Sequence, residues 1–372
     1  MNQKKSFFSG HTKQKKIVLA LIFALFLAAI LSVFYSLGVF KSLEFISADW
    51  RRNSLSPFKL NPKSFPGSAD KIVYIDVDQG SLDAAMTDGI SWPWPRDGYA
   101  LVLEYVQYGG AKAVVFDMFM HSPMDGDEMF ADFLGNYKNV VFPMMFRNPD
   151  IPGNQDFELI VNRDMEKYAL DFETDNSVVH RSLGVASLLP TGLVNENIQW
   201  AGDAYIIRVG ADLNHTRQNG PVIEYNGRYY PSLALAGILA AKGTKKVRIQ
   251  NKKLIISENT DKTVIPLNKN GFMWIKYNGP YGVYEHYPIY TVIQSAMGFQ
   301  AMQAGDSGMH DLVKIKSDVF KDKVVVFLAS AYGLKDLRPN PFSDNDPGGH
   351  FHGSAMETML NNDFIVDLYD LK

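Results

Sequence analysis

Residues Ile17 to Phe40 (IVLALIFALFLAAILSVFYSLGVF) form an uncharged apolar run of 24 residues near the start of a 372-residue chain. As a helix it would extend about 36 Å, enough to cross a bilayer with some tilt. A helix also satisfies its own backbone polar groups, which lipid demands. Lys4, Lys5, Lys13, Lys15 and Lys16 precede the run, whereas Lys41, Glu44, Asp49, Arg51 and Arg52 mix both signs after it. This asymmetry predicts a cytoplasmic N-terminus, with the chain beyond about residue 41 outside. A cleaved signal sequence would have a shorter apolar stretch and a small-x-small cleavage site, and Ser36-Leu-Gly-Val-Phe40 offers no strong one. A buried core helix is the third alternative. The length of the run makes the uncleaved anchor the expectation.

Charge narrows the partners. Five of the 37 basic residues and no acid fall in residues 1–40, so 32 bases face 40 acids over the remainder, a balance of −8. A nucleic-acid surface is normally basic, so no nucleic acid is expected as partner. The chain has no cysteine, which excludes disulfides, thiolate metal sites and cysteine nucleophiles.

Beyond the anchor, 41–70 reads as a juxtamembrane helix and a Pro/Ser/Asn-rich connector. Lys71 to Asp76 and Ala113 to Asp117 are short apolar runs ending in acid, the pattern of strands buried on both faces. Between them, Arg96 to Tyr108 has helical spacing and is stopped by Gly109-Gly110, so a βαβ unit with parallel strands is expected. A helix at Asp127 to Leu134 and a strand at Asn139 to Phe142 follow. Tyr205 to Val209 and Phe272 to Tyr277 read as strands. Val222 to Tyr225 with Arg228 to Tyr230 form a hairpin about Asn226-Gly227, and Val247 to Ile249 with Leu254 to Ser257 a second. Helices are expected at Ser232 to Lys242, near Tyr290 to Met297 and at Gly353 to Asn361, with a buried strand at Lys323 to Ala329. The expected fold is α/β: a mixed, largely parallel sheet with flanking helices and inserted antiparallel hairpins, preceded by one transmembrane helix.

The order of motifs resembles a known family. Ile75-Asp-Val-Asp78, Trp92-Pro-Trp-Pro-Arg96, Gly109-Gly-Ala111 and Phe116-Asp-Met-Phe119 come first. Pro231-Ser-Leu-Ala-Leu235, Tyr277-Asn-Gly-Pro280, Ala329-Ser-Ala-Tyr-Gly-Leu334 with Asp336, Pro341-Phe-Ser343, Pro347-Gly348 and His352 follow. Together they resemble the type-two CHASE domain, from about Asp49 to Asn362. His350 and Gly353 depart from the pattern, standing where an acidic and a small alanine-like residue are expected. The resemblance implies an extracytoplasmic sensory module, placed between membrane helices and controlling an adenylate cyclase, histidine kinase or Ser/Thr kinase, usually as a homodimer. It divides the chain into a cytoplasmic basic tail (1–16), a transmembrane helix (17–40), a juxtamembrane segment (41–70), the sensory domain (71–362) and the start of a linker to further membrane helices (363–372).

Several residues are candidates for binding. Asp76, Asp78 and Asp117 end two predicted parallel strands, and Asp336 follows a third, the place where open α/β sheets bind ligands. Converging carboxylates suit Mg²⁺ or Ca²⁺. The competing reading makes Asp78 a helix cap and pairs the others with Arg96 or turn amides, and it is favoured. Trp92 and Trp94 could line a small-molecule pocket with Arg96 gripping an anion, or simply anchor the loop. His350 and His352 share one face if extended, and Asp344 and Asp346 lie nearby, so a metal site is conceivable there too. No cofactor is implied. No Gly-x-Ser-x-Gly elbow, phosphate loop, HExxH or dinucleotide fingerprint occurs. The expected stimulus is a small molecule, an ion or a protein. The alternatives are an anchored metal-dependent hydrolase built on Asp76, Asp78 and Asp117, and a purely structural assembly module.

Overall fold

The structure is a computed structural model and describes residues 13–37, 39–40, 43, 47, 50, 70–147, 162–175, 179–181, 186–206, 215–258, 261–334 and 336–366. The apolar run folds as one helix, α1 (Lys13–Ser36), long and apolar enough to cross a membrane and exposed along its length. It starts inside the lysine-rich tail and ends before Phe40, so the helix is shifted a few residues from the expected 17–40. The juxtamembrane segment expected over 41–70 lies outside the described residues, except for Leu43, Ser47 and Trp50, which are helical, and Asp70.

Seven strands build the main sheet: β1 (Ile72–Val77), β2 (Ala113–Phe116), β3 (Val140–Arg147), β4 (Ala186–Leu188), β5 (Trp200–Asp203), β6 (His286–Pro288) and β7 (Val324–Ala329). Their order is β6-β1-β7-β2-β3, with β4 and β5 both paired to β3. All pairings are parallel except that of β4. The two strands expected to form one βαβ unit are therefore parallel, but the C-terminal β7 is inserted between them. β1, β2 and β7 are buried on both faces, as their unbroken apolar runs require.

Strand alternation assigns side chains to two cores. Val73, Ile75, Val114, Phe116, Val325 and Phe327 face one side. There Phe116 stacks between Phe142 and Phe327 at 4.6 and 4.3 Å. Helices α2 (Gln79–Thr87), α3 (Arg96–Tyr108), α4 (Asp127–Asn136) and α5 (Gly192–Asn197), with α7 (Ile289–Gln303), pack here. Ile72, Tyr74, Val115, Val324, Val326 and Leu328 face the other side, under α6 (Leu233–Lys242) and α8 (Gly348–Asn361). The result is a three-layer α/β/α sandwich.

A separate four-stranded sheet joins Asp171–Thr174 to the meander Lys246–Gln250, Lys253–Glu258 and Asp261–Pro266. The Asn226-Gly227 hairpin forms as expected, with φ of 50° and 73° at its two turn residues. Three expectations change. The strand at Phe272 to Tyr277 is reduced to Met273–Trp274. Tyr205 and Ile206 are irregular, and the rest of the strand expected to Val209 lies outside the described residues. The last helix begins at Gly348, not Gly353, because Gly348 and Gly349 are helical residues pressed against the sheet end and not a loop. Residues 367–372 of the expected linker are also outside the described set.

Candidate functional site

Asp76 and Asp117 do not share a pocket with the tryptophan block, because the sheet stands between them. Asp76 continues the alternation of Ile72 and Tyr74, so it faces α8, and Asp117 lies against Gly349 of α8. Trp94 belongs to the opposite core.

Asp76 is buried and its oxygens are occupied. It accepts the Ser330 N–H at 3.0 Å, the Ser330 hydroxyl at 2.6 Å and the Tyr281 hydroxyl at 3.0 Å. Burial raises its carboxyl above the usual range, against the pull of these bonds. Asp78 leaves the sheet and caps α2, accepting the Ser81 N–H at 2.8 Å. Asp78→Ala is therefore expected to cost about 1 kcal/mol, read as a small drop in melting temperature. A loss several times larger would mean that the carboxylate does more than cap.

Asp117 and Asp336 meet at the first turn of α8. A Cβ on Gly348 would fall 2.8 Å from the Asp336 carboxyl carbon, and one on Gly349 would come 3.2 Å from Asp117 Oδ2 and 2.5 Å from Leu328. The glycines thus let the helix end approach both acids. Burial pushes Asp117 well above its ordinary pKa, its neighbour Asp336 adds to this, and Arg338 opposes it. Asp336 is raised by burial too, although Arg338 lies 3.1 Å away.

His350 and His352 sit on the helix, so their rings diverge instead of sharing one face. His350 Nδ1 is 3.0 Å from Asp346, while His352 Nε2 is 3.7 Å from Asp117. Burial would raise Asp346, but bonds from His350, the Asn340 amide and the Tyr281 N–H outweigh it and hold its carboxyl low. His352 is pushed down to about 3 by burial and is neutral at physiological pH. His215 is the described partner of Asp344, at 3.7 Å. Among the described residues no group of three or more His, Asp or Glu side chains could hold a metal ion. The metal readings of Asp76, Asp78 and Asp117, and of His350 and His352, thus find no support in the geometry.

Further along α8 the polar layer continues. Tyr74, Tyr281, Tyr284 and Tyr277 ring His350 with centroids 4.9 to 6.3 Å away. A Cβ on Gly353 would overlap the Tyr74 hydroxyl, which explains a glycine where the family resemblance suggests alanine. Glu357 is fully buried and accepts the Tyr284 hydroxyl at 3.0 Å, and burial raises its carboxyl to about 7. The Tyr74 hydroxyl and His350 Nε2 are buried without a hydrogen-bond partner. Such atoms are costly, so the interface between α8 and the sheet is a weakly satisfied polar layer inside an apolar core. Asp203, at the end of β5, is likewise raised to about 7 by burial. The residues read from the sequence did not include Asp203, Glu357, Tyr281 or Arg338. Glu357 alone left a trace, as the one acid in the helical stretch from Gly353 to Asn361.

On the opposite face, Trp94 is buried and meets Trp92 edge-on at 5.5 Å. Arg96 is turned to a carboxylate of the fold. It lies 3.4 Å from Asp127, the first residue of α4, and both side chains are buried. Burial lowers the Arg96 pKa despite this partner. Gly126, at φ 83°, lets the two helix starts touch, since a Cβ there would lie 2.5 Å from the Asp97 nitrogen.

The model of one protein family, described as CHASE2 domain, matches residues 21–370. No curated protein and no solved structure matches the chain.

Proposed function

The chain belongs to the CHASE2 domain family, a family of sensory and not catalytic modules, and from that membership we propose that it is the input half of a receptor controlling a cyclase or a kinase. The observation that carries this reading is the extent of the match, which takes in most of α1 as well as the whole α/β sandwich. On this reading 1–16 is cytoplasmic, 17–40 spans the membrane, 41–70 connects, 71–362 senses, and 363–372 begins the path to the output. A stimulus outside acts by its differential affinity for two arrangements of the domain. Helix α8 is the natural moving part, because it leads directly into that path and rests on a polar layer that is incompletely satisfied. Homodimerisation would bring two output domains together.

Two measurements test this. Alkaline phosphatase needs disulfides and β-galactosidase needs the cytoplasm, so fused after residue 69 the first should be active and the second inactive. The reverse pattern would overturn the orientation. The complete gene product in membrane vesicles should make a cyclic nucleotide or phosphorylate protein, with a rate that changes when Glu357 is substituted. Neither activity, or a rate indifferent to the ectodomain, would leave the module structural and the proposal wrong.

A further inference from the structure

Between α2, α3, α4 and α7 the structure holds a cavity of about 380 Å³. The volume lies at the lower end of the range that takes small ligands. Its wall is mostly apolar: Ile90, Trp94, Tyr290, Ile293 and Met297 contribute, together with the small Gly98. Met297, Met129 and Ile90 are each more than two-fifths exposed, so the mouth is adaptable thioether and hydrocarbon surface.

Charge decides what fits. Asp97 is part of the wall. The Tyr290 hydroxyl donates to Asp88, and the Gln300 amide donates to Glu104 at 2.7 Å, which fixes two more carboxylates at the rim. Asp83, Glu128 and Asp132 lie on the same helices. The single base on these helices is Arg96, turned to Asp127. Carboxylates outnumber bases on these helices, so an anion entering here would meet a negative field, whereas a cation would gain from the carboxylates and from the aromatic side chains Trp94 and Tyr290.

We propose that this cavity is a binding site for a small organic cation with an apolar body, an amine on an aromatic or branched hydrocarbon frame. The site is too small for a helix of a partner protein, and its charge selects against fatty acids and other carboxylates. Binding is independent of the sensory reading, because it is measured on the chain itself without any output.

The test uses the full chain in detergent and three probes of similar body: phenethylamine, ethylbenzene and phenylacetate. Phenethylamine at a hundredfold excess over its Kd should raise the melting temperature by about 4 °C. Ethylbenzene should give less and phenylacetate nothing. Asp97→Asn should narrow the gap between amine and hydrocarbon. Met297→Trp, at a half-exposed position, and Gly98→Met, on the helix wall, should each fill the cavity and abolish the shift. Two blocking variants are used so that one failing to fold leaves the other. No shift with any probe, an equal shift with phenylacetate, or a shift that survives both blocking variants would overturn the proposal. So would a change of oligomeric state in Met297→Trp without loss of an amine effect, which would assign the patch to a second copy of the chain.

Discussion

Glu357→Gln is expected to stabilise the protein at pH 8 and to leave it nearly unchanged at pH 5. Glu357 is fully buried in α8, and burial raises its carboxyl from 4.5 to about 7. Asn278, Tyr284 and Lys276 pull it down again and Asp70 pushes it up. The unfolded chain releases this proton near 4.5, while the folded chain keeps it until about 7. Between those values the folded state binds more protons, so stability falls as pH rises and the loss is complete above 7. The shift corresponds to about 3 kcal/mol at pH 8. Glutamine carries no charge to desolvate, and its carbonyl can still accept the Tyr284 hydroxyl. The variant should therefore melt about 5 °C higher than the parent at pH 8. Asp203 contributes with the same sign, from its ordinary 3.8 up to about 7. His352 opposes both: it stays neutral in the fold down to about 3, so its stabilisation is lost as pH falls below about 6.5. These two act equally in parent and variant, so the difference between the two melting profiles isolates Glu357. Parallel profiles would show that the carboxyl is not desolvated and would remove α8 as the titratable element.

The sequence made the elements legible where local physics decides them. Arg96 to Tyr108 was bounded correctly because its apolar spacing runs unbroken into Gly109-Gly110. Asn226-Gly227 was read correctly because few other pairs suit that turn. Strand neighbours were not legible. Nothing in Val324 to Ala329 records that it lies between β1 and β2, since parallel pairing joins residues some 200 to 250 positions apart. The placement of the candidate site residues has a related cause. Asp76 and Trp94 are 18 residues apart in sequence, yet a chain leaving β1 for the helices on one face separates them by the sheet. Glycine is a poor helix former, so Gly348-Gly349 does not announce the start of a helix. Its reason for being there, close approach to Asp117, Asp336 and Leu328, is tertiary. Burial of Glu357 and Asp203 is likewise a property of the assembled layers, and neither residue type announces it.

Asp127→Ala is expected to cost about 3–5 kcal/mol, among the largest effects of any single substitution in the sandwich. The size of this loss separates a structural from a ligand-gripping role for Arg96. Its guanidinium is buried, and Asp127, 3.4 Å away, is the counter-charge its surroundings provide. Asp127 Oδ2 also accepts the Met124 N–H at 3.0 Å, so the same carboxylate ties down the turn before α4. Removing it leaves a desolvated cation between the starts of α3 and α4, and those helices wall the cavity. The paired replacement Arg96→Met with Asp127→Leu removes both charges and should recover most of the loss, since an apolar pair of similar volume suits that core better than a lone ion. Denaturant unfolding of the parent, Asp127→Leu, Arg96→Met and the double variant closes the cycle, and the coupling should exceed 1 kcal/mol. A loss below that value in Asp127→Ala would mean that the guanidinium finds water once the carboxylate is gone.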